Sequence, residues 1–194
     1  KSRVTLLSRG IYGIIILNKG FKIGSMDLIL YRKNRGGRME NREKLTVMRC
    51  VRPEEKERVL TLVSDVFEIE QGIPRDMDDI PAEKSPQWWC IEISGRIVGG
   101  IVSWEEPEGP HVGRFAVHPS FRHRHLGTDL LRGGLSALFA LGASEVYGDA
   151  RDVTLKILLK MGAEVIDAPY EFYGSNCTPF RVKKNEFIES QRLK

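Results

Sequence analysis

The chain reads as a single α/β domain built on a mixed sheet, and three observations say so. Its 194 residues, 22.0 kDa, suffice for one domain with a substantial core and fall short of two ordinary ones. Its 41% hydrophobic and 29% charged residues are a globular balance, which excludes disordered, collagen-like and membrane-spanning classes. Its apolar residues alternate between strand-length runs and helical spacing, in the order strand, helix, three strands, helix, strand, helix, strand.

Each element has its own signal. Leu45 to Arg49 is a short strand. Pro53-Glu54-Glu55 opens a helix, with proline and acids in the first turn, where unpaired amides and the helix dipole favour them. Val59, Leu62, Val63, Val66 and Phe67 recur at the helical period, Gly72 and Pro74 end the run, and an acidic loop with Asp76, Asp78 and Asp79 follows. Trp88 to Ile93 and Ile97 to Trp104 are strands joined through Ser94-Gly95-Arg96, a hairpin signal, and Gly113 to Val117 is a third strand. Leu126, Leu130, Leu131, Leu135, Leu138 and Phe139 mark a long amphipathic helix ending near Gly142. Glu145 to Tyr147 is strand-like, Val153 to Met161 is helical with Gly162 as its stop, and Val182 lies in a last strand.

The charge is unevenly placed. Residues 1–38 hold nine basic residues against a single acid, Asp27, a net charge of +8; the remaining residues therefore carry −4 of the chain's +4. The pI of about 9.0 thus reports a basic arm, and the body gives no reason to expect nucleic acid as a partner. The arm has no clear helical or strand period beyond the Ile14 to Leu17 run, which is far too short to cross a bilayer. Arg35-Gly36-Gly37-Arg38 before Met39 is what a purine-rich ribosome-binding stretch gives when read through in frame. Residues 1–38 are accordingly expected to lie outside the folded domain, which then comprises residues 39–194; a genuine flexible basic arm is the alternative. Three widely spaced cysteines, Cys50, Cys90 and Cys177, form neither a disulfide framework nor a metal pair, so a reducing cytoplasm and no structural metal are expected.

The segment that carries chemistry runs from Arg114 through Val117 and His118-Pro119-Ser120-Phe121 to Arg122-His123-Arg124-His125-Leu126-Gly127-Thr128. It is a buried strand, a basic turn and a helix start. The start of a helix offers unpaired N–H groups and a positive dipole end that suit a phosphate. Arg122 and Arg124 add charge, and Gly127 lets the backbone come close to a ligand. A phosphate-bearing ligand fits this turn; a solvated basic loop and an RNA contact are the other readings.

Val117-x-Pro119-x-x-Arg122-x-x-His125-x-Gly127-Thr128 resembles the acetyl-CoA motif of the Gcn5-related N-acetyltransferase (GNAT) superfamily. Gly95 to Gly100 resembles that family's hairpin into its third strand, and Leu155 to Ala163 its helix ending in Lys-x-Gly-Phe. The Val66 to Pro74 stretch resembles one branch of small members. The resemblance covers roughly Leu45 to Lys184 and implies a mixed, mostly antiparallel sheet flanked by helices, with splayed central strands. It implies acetyl-CoA as co-substrate, held by Phe115, Ala116 and Val117 along the pantetheine and by Arg122, His123, Arg124, His125, Leu126, Gly127 and Thr128 around the diphosphate. The reaction it implies is direct transfer of an acetyl group to a small-molecule or peptide amine, with no nucleic acid or membrane partner; a homodimer is allowed.

Two positions depart from the family pattern. His125 stands at its first glycine, where a side chain either crowds the diphosphate or donates to it. Leu158 stands where many members carry a tyrosine that protonates the leaving thiolate, a role that then falls to Tyr173 or Tyr170. Counting back from Arg122 to the family's base position reaches His111, and imidazole is a base at neutral pH. Two rivals follow from the same residues: an enzyme similar to acyl-homoserine-lactone synthases, and an acyl-CoA-binding module without turnover.

Overall fold

Eleven strands form one sheet in the computed structural model, which describes residues 4–7, 12–18, 26–32, 46–78 and 80–192. β1 (Val4–Leu7), β2 (Tyr12–Asn18), β3 (Met26–Arg32), β4 (Thr46–Cys50), β5 (Gln87–Ile93), β6 (Arg96–Glu106) and β7 (Gly109–Val117) run as a meander, each antiparallel to the next. β8 (Glu145–Arg151) lies parallel to β7. β9 (Ala163–Val165), β10 (Tyr170–Phe172) and β11 (Ser175–Lys183) complete the sheet: β11 pairs antiparallel with β8, and the two short strands pair with β11. The fold class is therefore the expected mixed, mostly antiparallel sheet with helices on its faces.

Among the described residues four α-helices cover the sheet: α1 (Lys56–Gln71), α2 (Leu126–Ala140), α3 (Asp152–Leu159) and α4 (Lys184–Arg192). Because side chains alternate along a strand, β5 sends Trp88 and Cys90 to one face, against Val59, Val63, Val66 and Phe67 of α1. It sends Trp89 and Ile91 to the other, against Leu130, Leu131, Leu135 and Leu138 of α2. The helical stripes legible in the sequence are thus the buried ones, each such side chain contributing about 1.5–3 kcal/mol. α1 stops at Gly72, whose φ of +65° lets its N–H return to the Glu68 carbonyl in a left-handed cap.

The expected boundaries hold for α1, α2 and the β5–β6 hairpin and shift elsewhere. β7 begins at Gly109, four residues before the expected start, because Gly109, Pro110 and His111 pair with Glu106, Glu105 and Trp104 although they look like a loop. β8 continues past Tyr147 to Arg151. β9, β10 and α4 had no sequence signal, being three residues long in two cases and strongly charged in the third. In the basic arm, β1 to β3 pair through the backbone onto β4. Ile14 to Leu17 is a short apolar run with no period of two, so the sequence carries no strand signal there. Arg35 to Arg38, Met39, Leu45 and Asp79 lie outside the described residues. No helix among the described residues is long and apolar enough to cross a membrane.

Two local irregularities open the sheet. β7 and β8 are in register only at His111 and Tyr147 and diverge beyond that point. A Cβ on Gly148 would overlap the Val112 carbonyl oxygen, so a glycine is required where the strands meet. Between β6 and β7, Gly100 faces Ala116 and Val102 faces Gly113, leaving Arg114 and Phe115 opposite Ile101 in a bulge. Arg114 takes φ +48° there, and the bulge bends β7 away from β8.

Candidate active site

The turn between β7 and α2 is a string of unusual backbone conformations. Pro119–Phe121 form one 3-10 turn, capped by His118 Nδ1, which accepts from the Ser120 N–H at 3.2 Å. His123 and His125 then both take left-handed conformations, φ +60° and +61°. The first intrahelical N–H of α2 is that of Asp129, donating to the His125 carbonyl at 3.0 Å. The amides of Leu126, Gly127 and Thr128 precede it and have no partner within the helix. His125 is the N-cap residue, and its side chain makes no capping bond to them. His125 is exposed, and the positive end of the helix dipole lies at this turn.

Arg122 and Arg124 have different surroundings. The Arg122 guanidinium is bound bidentately by Glu70 at the end of α1, at 2.7 and 2.8 Å, while its Nε donates to the Val117 carbonyl at 3.0 Å. It therefore ties α1, the end of β7 and the turn together. Arg124 is exposed, its guanidinium over the Phe121 ring at 5.5 Å; the Arg96 guanidinium approaches the same ring at 5.3 Å. Gly127 gives room: a Cβ there would stand 3.1 Å from the Phe115 ring. Ala116 is buried toward α1 and Val117 toward α2, while Phe115 is half-buried at the mouth of the fork. These features fit a nucleotide diphosphate at the turn and an extended chain lying along β7.

The fork holds a cavity of about 220 Å³ on the α1 side of the sheet. β7 supplies Val112 to Phe115, β8 supplies Asp149, Ala150 and Arg151, α1 and its exit supply Phe67, Gln71 and Ile73, and β10 and β11 supply Tyr170, Phe172 and Cys177. Arg151, Cys177 and Tyr170 form one row across three strands, since Cys177 faces Arg151 on one side and Tyr170 on the other. Burial, and then the Asp149 carboxylate, hold the Tyr170 phenol well above the usual tyrosine range, so it stays protonated. Burial likewise pushes the Cys177 thiol up. Arg151 donates to Ser175 Oγ at 3.1 Å and to the Phe172 carbonyl at 3.2 Å, which fixes the β10–β11 hairpin beside the cavity.

The sequence-derived catalytic pair is not brought together at this cavity. His111 stacks on Tyr147 at 5.6 Å and leans on Trp104 at 5.7 Å, with Nε2 3.3 Å from Glu108. It stands at the closed end of the fork, and the lining is reached through its neighbour Trp104. Tyr173 is 42% exposed in the β10–β11 turn with φ +48° and packs edge-on against Phe172; Tyr170, three residues earlier and also exposed at 44%, lines the cavity. Asp149 and Arg151 carried no sequence signal, because polar residues alternating with Gly148 and Ala150 look like a loop. Leu158 is 1% exposed in the core and supplies no proton donor. Among the described residues, no group of three His, Cys, Asp or Glu side chains is placed to hold a metal.

A sheet forked between two parallel central strands, with an uncapped helix front at its mouth, is the arrangement that the family motif implies. Residues 56–156 match the family model for the acetyltransferase (GNAT) family, and the chain belongs to that family. Solved structures agree in fold. Escherichia coli ElaA superposes with a TM-score of 0.63 at 16% identity, over 72% of this chain and 100% of that one. An acyl-CoA N-acyltransferase from Pseudomonas aeruginosa gives 0.62 at 19%, over 71% and 99%. FeeM, an N-acyl amino acid synthase from uncultured soil microbes, gives 0.63 at 13%, over 78% and 99%. At these identities the likeness is one of fold. No curated protein sequence matches the chain at a significant level.

Proposed function

We propose that the protein is an N-acetyltransferase that moves an acetyl group from acetyl-CoA to an amine by direct attack. The observation that carries this reading is the fork between β7 and β8, which leads from the α1-side cavity to the uncapped amides of Leu126, Gly127 and Thr128. Those amides, with His123, Arg124 and His125 around them, hold the diphosphate. Phe115, Ala116 and Val117 present an extended backbone for the pantetheine, as an added strand would pair. The thioester supplies an activated acetyl group: a C–N bond forms to the amine, the C–S bond breaks, and the thiol leaves.

The chain's own residues do the rest. Binding both substrates at one fork converts a bimolecular encounter into an oriented one, the largest gain available without a covalent intermediate. Backbone N–H groups of the bulged β7 stabilise the developing oxyanion. His111 accepts the amine's proton through water from the closed end of the fork. Tyr170, kept neutral by its surroundings, returns a proton to the thiolate, a role that falls to it in preference to Tyr173 because Tyr170 lines the cavity.

Acetyl-CoA should raise the melting temperature, since a ligand of the native state alone stabilises it, and thiol release should follow on adding an amine panel. A longer acyl-CoA belongs in the same assay, because FeeM, of like fold, is an N-acyl amino acid synthase. No melting shift at millimolar acetyl-CoA refutes the acetyltransferase reading. A second reading, a binding module without turnover, is favoured by Leu158, whose buried position leaves the family's proton donor missing. A melting shift without thiol release from any amine would establish it.

A further inference from the structure

We infer that the acceptor is an α-amino acid with an apolar side chain, held at its carboxylate by Arg151 and at its amine by Asp149. The inference rests on the acetyl-transfer reading above and narrows it. Two arginines, Arg114 and Arg151, and a single acid, Asp149, line the cavity. A polyamine or aminoglycoside needs several acids, and this wall repels it. A plain monoamine needs no cation in its pocket at all.

Asp149 and Arg151 are two residues apart on β8, so both side chains project to one face with Cα atoms roughly 7 Å apart. An ammonium and a carboxylate on one α-carbon span that gap with a hydrogen bond at each end. Two of the five guanidinium N–H groups of Arg151 are engaged, by Ser175 and Phe172. Those bonds set the plane of the fork and leave donors for a carboxylate. Asp149 is solvent-exposed, lines the cavity and acts electrostatically on the Tyr170 phenol. Phe67, Ile73, Trp104 and Phe172 also line the cavity and offer apolar surface to the side chain. A cavity of about 220 Å³ accepts a leucine- or phenylalanine-sized molecule.

The test compares amino acids with the amines that lack only their carboxylate: leucine with 3-methylbutylamine, phenylalanine with 2-phenylethylamine, and spermidine as the polycation. With acetyl-CoA saturating, kcat/KM for the better amino acid should exceed that of its amine at least 100-fold, and Arg151→Gln should shrink that ratio below tenfold. The wild-type comparison stands by itself if Arg151→Gln does not fold. Equal use of the amine, preference for spermidine, or an unchanged ratio in a folded Arg151→Gln overturns the inference while leaving acetyl transfer intact. Should no acceptor turn over, calorimetric titration into the CoA-loaded protein decides: tenfold tighter binding of the amino acid upholds the inference, and equal or absent binding ends it. The acetyl-transfer reading fails on a different readout, the melting shift with acetyl-CoA.

Discussion

His125 holds φ +61° at the N-cap of α2, a conformation that costs a residue with a Cβ roughly 1 kcal/mol relative to glycine. Its imidazole makes no cap bond that would offset this. His125→Gly should therefore stabilise the protein by about 1 kcal/mol, a rise of about 2–4 °C in a chain of this size, and weaken acetyl-CoA binding modestly by removing a side chain that flanks the diphosphate. Differential scanning calorimetry with and without acetyl-CoA checks both; a lower melting temperature would mean that the imidazole holds the turn. Cys177 allows a pH test at the same scale. Burial raises its pKa in the folded state, so less thiolate is present at any given pH than in the unfolded chain, and the thiolate is the nucleophile. Alkylation of native protein should lag behind that of a free thiol through the ordinary cysteine range and climb only at higher pH. An occupied cavity should slow it further, because Cys177 is part of the wall. Mass spectrometry of the Cys177 peptide across a pH series reads the profile directly.

At the scale of elements, the clamp from Arg122 to Glu70 and the Val117 carbonyl joins α1, β7 and the turn. The motif marks Arg122 as a phosphate ligand by its charge, whereas the structure spends its planar fork on bracing. Arg122→Lys separates the two roles, since lysine keeps the charge and loses the bidentate geometry. Acetyl-CoA should bind about tenfold more weakly to Arg122→Lys, with Glu70→Gln giving a smaller loss in the same direction; retained affinity in the lysine variant would make charge the operative property. Gly148 is the second hinge of the site. Alanine there must push β7 from β8 at the point where they meet, so Gly148→Ala should cost about 1–3 kcal/mol of stability and cut thiol release more than acetyl-CoA binding, as read by denaturant melts beside the activity assay. These elements differ in how visible they are in the sequence. α2 is plain because six apolar residues recur on one face; β8 fades after Tyr147 because Asp149 and Arg151 face a cavity, so the apolar pattern that announces a strand is absent where the site begins. The helix front was legible from Gly127 and the basic turn. The Glu70 clamp was not, since 52 residues separate its two sides.

For the whole molecule, the fork became legible only through the family motif, because no local pattern says that two strands pair once and then part. The organisation of the N-terminal third follows a similar logic. Solved acyltransferase-fold chains are matched over 97% or more of their length by 70–72% of this one, and the family model begins at residue 56. We propose on that basis that the catalytic domain comprises residues 39–194, with β1 to β3 as an extension on the β4 edge. The cavity, the clamp and the α2 front all draw their residues from beyond residue 50, and so none of them needs the extension. Removing residues 1–38 takes away a net charge of +8 and leaves β4 as an edge strand with one row of unpaired backbone groups. The shortened protein should unfold cooperatively, bind acetyl-CoA within about twofold of the full chain and lose only solubility, through edge-to-edge association at high concentration. Circular dichroism melts, acetyl-CoA titration and sedimentation of the two forms test this together. Loss of cooperative unfolding at low concentration would place β1 to β3 inside the domain, since an extension dispensable for the core cannot carry the folding transition with it.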